Sequence, residues 1–265
     1  MPEITSYEPG SPNWVELSSP DIEASKAFYC ELFDWSVYTV ADHWVGDFSI
    51  FTRGDVTGPE VAGLTSLADD SISATWICYF SVNDADAAAD AVLEAGGQVH
   101  MEPTNVAHMG RVVLAADTQG AGFGLWQPFA FPGAALFDEP NTVSWVELAC
   151  GDTGKAMDFY GRVLGWSGPT EMQGVVSTYY VWRVGGRRVA GVVRAAGRRL
   201  SGDVPARWMP YFAVPDCEAS VAQAERLGGT VRLPCTDTPN GRFSVLSDPT
   251  SATLAIIKRR FEDTP

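Results

Sequence analysis

The chain has 265 residues, of which 46% are hydrophobic and 19% charged, with 26 glycines and 17 prolines. That length and mix predict one or two globular domains with an ample core, and they exclude a disordered, fibrous or disulfide-stapled design. The formal net charge of −15 argues against nucleic acid and anionic membranes as partners, and no apolar run approaches the ~18–20 residues needed to span a bilayer.

In chain order, residues 1–10 are polar and carry no visible secretory signal, which predicts a cytoplasmic protein. Five cysteines, odd in number, widely spaced and without a CxxC pair, suit the same reducing compartment. Residues 14–18 alternate as a strand. Ser19-Pro20-Asp21 opens a helix, with the proline expected near the first turn, and Ala24, Ala27, Phe28, Leu32 and Phe33 form its apolar stripe. Three strands follow, near 36–41, 47–53 and 60–66. Residues 75–82 are a further strand, and Asn83-Asp84 caps an alanine-rich helix that ends at Gly96-Gly97. Strands near 98–106, 110–116 and 122–127 complete the unit, and residues 129–141, rich in Pro, Phe and small residues, form a linker.

The chain repeats itself. Asn13-Trp14-Val15-Glu16-Leu17 recurs as Ser144-Trp145-Val146-Glu147-Leu148, Phe28-Tyr29 as Phe159-Tyr160, and Trp35 as Trp166, all at an offset of 131. Further on, Trp76 and Tyr79-Phe80 match Trp208 and Tyr211-Phe212, and Gly96-Gly97 matches Gly228-Gly229. Gly110-Arg111 matches Gly241-Arg242, and Asp117 matches Asp248. The chain is therefore a tandem duplication with expected domains at 1–130 and 138–262, each read as two βαβββ modules. The fold class is α+β: four such modules in curved mixed sheets with helices outside. Charge divides unevenly: residues 1–132 carry 19 acidic and 3 basic side chains, and residues 133–265 carry 14 and 15. Either the halves face each other or a second subunit with complementary charge, or the surface charge has simply drifted.

Four βαβββ modules, with a strand–helix opening that ends in Phe-Tyr and then Trp, resemble the vicinal oxygen chelate superfamily, which includes glyoxalases, extradiol dioxygenases and bleomycin-resistance proteins. The segments Gly110 to Asp117 and Gly122 to Trp126 carry a closer likeness. It is to a tandem glyoxalase-like branch of actinobacteria, with members labelled hydroxylases of antibiotic clusters and a mycobacterial 27-kDa antigen. The resemblance implies a divalent metal held by His, Gln or Glu on the first and last strands of each module. Those positions fall here on Trp14, Ala62-Gly63, Ile77 and Gly124, and in the second repeat on Trp145, Ala190-Gly191, Met209 and Ala255. None suits a hard or borderline divalent ion. The expectation is a metal-chelate scaffold without its metal ligands, with no metal and no cofactor.

What replaces the ligands is aromatic. By strand alternation Trp14 and Glu16 share a face, as do Trp145 and Glu147, and in the resembled family that face lines a groove. Tyr79, Trp126, Met209 and Tyr211 are expected to point into it. Such walls suit a small hydrophobic ligand, aromatic or polyketide-like, in secondary-metabolite tailoring or in resistance by sequestration. The alternative is a metal-independent enzyme (isomerase, cyclase, hydrolase or accessory hydroxylase) that draws its acid or base from Glu16, Glu147, His43, His108 or Tyr29. A glyoxalase or dioxygenase with relocated ligands ranks last. Each candidate also has a structural reading. Glu16 and Glu147 pair with arginines such as Arg111 and Arg242; His43 and His108 sit in loops; Trp35 and Trp166 are core. The arginines from Arg183 through Arg187-Arg188, Arg194 and Arg198-Arg199 to Arg207 either bind an anion or edge the sheet in solvent. The expected assembly is a monomer or homodimer.

Overall fold

The computed structural model describes residues 3–41, 47–67, 73–173, 178–194 and 206–260. In the first repeat the elements are β1 (Pro12–Ser19), α1 (Ile22–Phe33), β2 (Trp35–Val40), β3 (Phe48–Arg53), β4 (Glu60–Ser66), β5 (Thr75–Ser81), α2 (Ala85–Glu94), β6 (Gln98–Val106), β7 (Gly110–Ala116) and β8 (Gly122–Pro128). The second repeat follows the same order: β9 (Val143–Cys150), α3 (Thr153–Leu164), β10 (Ser167–Gln173), β11 (Thr178–Val184), β12 (Arg187–Arg194), β13 (Arg207–Ala213), α4 (Cys217–Arg226), β14 (Thr230–Thr238), β15 (Gly241–Ser247) and β16 (Thr253–Arg259).

Local chemistry accounts for the boundaries. The Asp21 carboxylate accepts the Ala24 N–H at 2.9 Å and caps α1, and Asp84, Asp152 and Asp216 cap the other three helices in the same way. Pro20 lies directly before this cap, near the first turn as expected, and Asp21 takes the capping position. Each repeat builds one eight-stranded mixed sheet, β2-β3-β4-β1-β5-β8-β7-β6 and β10-β11-β12-β9-β13-β16-β15-β14, and neither sheet closes on itself. β1 pairs parallel with β4 and antiparallel with β5, and so joins the two modules. Alternation sends Val15 and Leu17 to the helix-bearing face, where they are buried, and Trp14 and Glu16 to the opposite, groove face.

The two helix-bearing faces share one core. Phe212 packs on Phe33, Trp35 and Trp76 of the other repeat at 4.9, 5.7 and 5.3 Å, and Phe80 meets Trp166 and Trp208 at 5.3 and 5.0 Å. The contacts are reciprocal. The Tyr29 hydroxyl donates to Asp248 Oδ2 at 2.9 Å and accepts from Trp76 Nε1 at 3.0 Å. The Tyr160 hydroxyl donates to Asp117 Oδ2 at 3.2 Å and accepts from Trp208 Nε1 at 2.8 Å. Tyr29 is thus a docking residue, not the groove acid or base that was one expectation. The halves do not meet through complementary charge either. Among the described residues no ion pair joins the two sheets; the contact is aromatic. Folding also brings the distant Cys217 and Cys235 to 2.9 Å between sulfurs.

Candidate functional site

The groove of the second repeat is an open cavity of about 1280 Å³. Its floor is built from paired strands. Glu147 on β9 lies between Gly191 of β12 and Met209 of β13; Trp145 faces Tyr211, which in turn pairs with Ala255 of β16. Phe243 and Val245 extend the apolar wall. The N-terminal segment and the linker form the rim through Ile4, Tyr7 and Phe137, held there because the Ile4 N–H and the Tyr7 hydroxyl donate to Ala135 and Ala134 carbonyls at 2.8 and 2.6 Å.

Glu147 is the acid of this floor. The Tyr211 hydroxyl donates to its Oε1 at 3.0 Å, and the Trp145 ring N–H donates to the Tyr179 hydroxyl at 2.9 Å. Burial pushes the Glu147 pKa up to about 7, against the opposing pull of the Tyr211 and Tyr179 hydroxyls. A carboxyl group held near neutrality both gives and takes a proton at physiological pH, which is what general acid–base work requires.

The first repeat repeats the acid but not the cavity. Glu16 accepts from Tyr79 at 3.2 Å and Thr65 at 3.3 Å, and its pKa also rises to about 7 through burial. Phe48 stands at the register position of Tyr179, so Thr65 supplies the second hydroxyl there. Phe131 from the linker fills the groove. Its ring meets Trp14 edge-on at 5.0 Å and Trp126 at 6.0 Å, and its carbonyl accepts the Trp126 ring N–H at 2.8 Å. Tyr79 and Trp126 are buried with Val106 and Val112 around them.

The structure therefore sorts the expected groove residues into two sets. Trp145, Glu147, Met209 and Tyr211 line one open cavity; Trp14, Glu16, Tyr79 and Trp126 pack in a filled one. The expected arginine pairing is overturned. Arg111 binds Asp86 and Asn105, and Arg242 binds Glu218 and Asp237, because both arginines point to the helix-bearing face, away from the glutamates. His108 sits exposed in the turn between β6 and β7 and lines no part of the open cavity; His43 lies outside the described residues. Trp35 and Trp166 are buried in the core, as expected. Sequence reading missed Tyr179, Phe131 and the N-terminal rim. A tyrosine in a hairpin and a phenylalanine in an aperiodic linker carry no pattern that marks them.

The metal positions implied by the resemblance do not fit a divalent ion. A Cβ added at Gly191 would collide with the Tyr179 hydroxyl, and one at Gly124 with the Tyr79 ring, so aromatic side chains fill the space that ligands would need. Among the described residues Glu147 is the one carboxylate on the floor of its groove, with Glu8 and Asp138 out on the rim, whereas a zinc-type ion takes three or more protein ligands. Among the described residues no three His, Cys, Asp or Glu side chains cluster to hold one.

Two family models match the chain: the Glyoxalase/Bleomycin resistance protein/Dioxygenase superfamily over residues 11–125, and a Glyoxalase-like domain over residues 145–257. The anthracycline biosynthesis protein DnrV of Streptomyces peucetius is 36% identical, covering 97% of this chain and 96% of its own length. CFP32 of Mycobacterium tuberculosis, which carries a provisional glyoxylase name, is 35% identical over 97% and 98%. The Mn(II)-bound glyoxalase from Novosphingobium aromaticivorans superposes with a TM-score of 0.63 at 15% identity, covering 97% of this chain and 83% of that one.

Proposed function

The chain belongs to the glyoxalase/bleomycin resistance protein/dioxygenase superfamily and is related to anthracycline biosynthesis proteins, and from that premise we propose that its second groove binds a small, planar, largely apolar molecule of aromatic or polyketide-like character, without a metal in the family's usual positions. The observation that carries this reading is the open cavity walled by Trp145, Met209, Tyr211, Phe243 and Val245, with one acid on its floor. Its volume exceeds the ~300–1000 Å³ of ordinary small-molecule sites, and aromatic walls reward flat ligands through stacking and burial.

A second reading makes the protein a metal-independent enzyme. Glu147, with its pKa near 7, then moves a proton on the bound ligand while Tyr179 and Tyr211 hold its carboxyl in position. Calorimetric titration with 1,8-dihydroxyanthraquinone tests the first reading. One saturable site is expected, weakened at least tenfold in Trp145→Ala and within twofold of the parent in Trp14→Phe. Equal affinity in Trp145→Ala would remove the second groove as the site. Glu147→Gln then separates the readings: it leaves binding within a few-fold in both, and abolishes turnover only if Glu147 carries the proton.

A further inference from the structure

We propose that one end of the second cavity is an anion subsite, so that the ligand is an aromatic acid with its carboxylate on Arg207 and Arg232 and its ring over Met209 and Tyr211. The inference rests on the ligand reading above and narrows it to a chemical class.

Arg207 opens β13, pairs with Ala149 and shares a face with Met209 and Tyr211; all of them line the cavity. It is half-buried, yet among the described residues no carboxylate pairs with it. The nearby charge is another cation. Arg232 also lines the cavity, its Nε donating to the Ser247 hydroxyl at 2.8 Å. Burial and the Arg232 charge both push the Arg207 pKa down. A guanidinium withdrawn from water beside a like charge is costly until an anion joins it, and the forked donors of arginine match a carboxylate. Thr253 of β16 also lines the cavity. Of the other arginines that line the cavity, Arg259 pairs with Asp138, and Arg187 and Arg188 stand exposed on β12.

The register positions of Arg207 and Arg232 hold Thr75 and His100 in the first repeat, both exposed. The arginine pair is therefore no requirement of the fold; it occurs only where the groove is open. Spacing fits as well. Residues two apart on a strand stand about 7 Å apart, roughly one aromatic ring. Glu147 lies opposite Met209, two residues from Arg207. A ligand anchored at Arg207 thus presents its ring, not its carboxylate, to the Glu147 carboxyl.

The test is calorimetric titration of the full chain at pH 7.5 with 2-naphthoic acid and its neutral counterpart 2-naphthalenemethanol. The acid is expected to bind at least tenfold more tightly than the alcohol. Arg207→Gln should erase that preference while the alcohol's affinity stays within twofold. Arg232→Gln, at an exposed position, should reduce the preference several-fold, so that a folding defect at position 207 cannot mask the result. Equal binding of acid and alcohol by the parent protein overturns the anion subsite and leaves the aromatic-ligand reading standing. A preference that survives both substitutions also overturns it. Failure of both probes to bind overturns the two readings together.

Discussion

A carboxylate that ionises inside protein gives up hydration that no single hydroxyl restores, and Glu16 and Glu147 both carry that penalty. Their folded pKa values, near 7, lie above the ordinary value of 4.5. Each group is neutral in the folded state at pH 5 and must ionise as pH rises through 7, whereas the unfolded chain ionises earlier. Stability is therefore lost between pH 4.5 and 7, by up to about 3 kcal/mol per group. Glu16→Gln keeps an acceptor for Tyr79 without the charge. In urea denaturation it should match the parent near pH 4 and exceed it at pH 8 by up to about 3 kcal/mol; a variant no more stable at pH 8 would mean that Glu16 ionises freely. The two-residue period of a strand is enough to read that Trp14 and Glu16, or Trp145 and Glu147, share a face. The same parity separates Arg111 and Arg242 from the glutamates. Val112 packs in the filled groove and Phe243 lines the open one, so their neighbours Arg111 and Arg242 face the helices.

At the scale of elements, two copies of one architecture differ because unlike segments cover them. The linker lays Phe131 across the first groove, and the N-terminal segment only borders the second. Phe131→Ala should cost about 2 kcal/mol, less than a fully buried phenylalanine, and should expose Trp14 and Trp126. Calorimetry with the anthraquinone probe should then read two sites where the parent has one; an unchanged stoichiometry would mean that other side chains keep the first groove shut. Neither covering segment has a period or a cap, so neither effect is legible before the chain is folded.

At the scale of the molecule, the repeats bury their helix-bearing faces against each other, and the Phe-Tyr and Asp motifs that mark the duplication make that junction. Because Phe212 belongs to the same core as Phe33, Trp35 and Trp76, Phe212→Ala should cost about 3–5 kcal/mol and destabilise both repeats. Scanning calorimetry should record one cooperative transition, lowered as a whole in the variant. Two separated transitions, with only the second repeat affected, would contradict a shared core.

The duplication, the order of elements and the faces of the central strands follow from backbone periodicity, caps and repeated residues, which are properties of short stretches of chain. Displacement of the family's ligand positions by Trp, Gly, Met and Ala was equally visible there. Which groove stays open, why Glu147 meets phenols and not guanidiniums, and how Arg207 comes to share a cavity wall with Arg232 depended on the folded chain. Those outcomes are set by side chains from segments tens of residues apart that compete for the same space, and no local pattern encodes that competition.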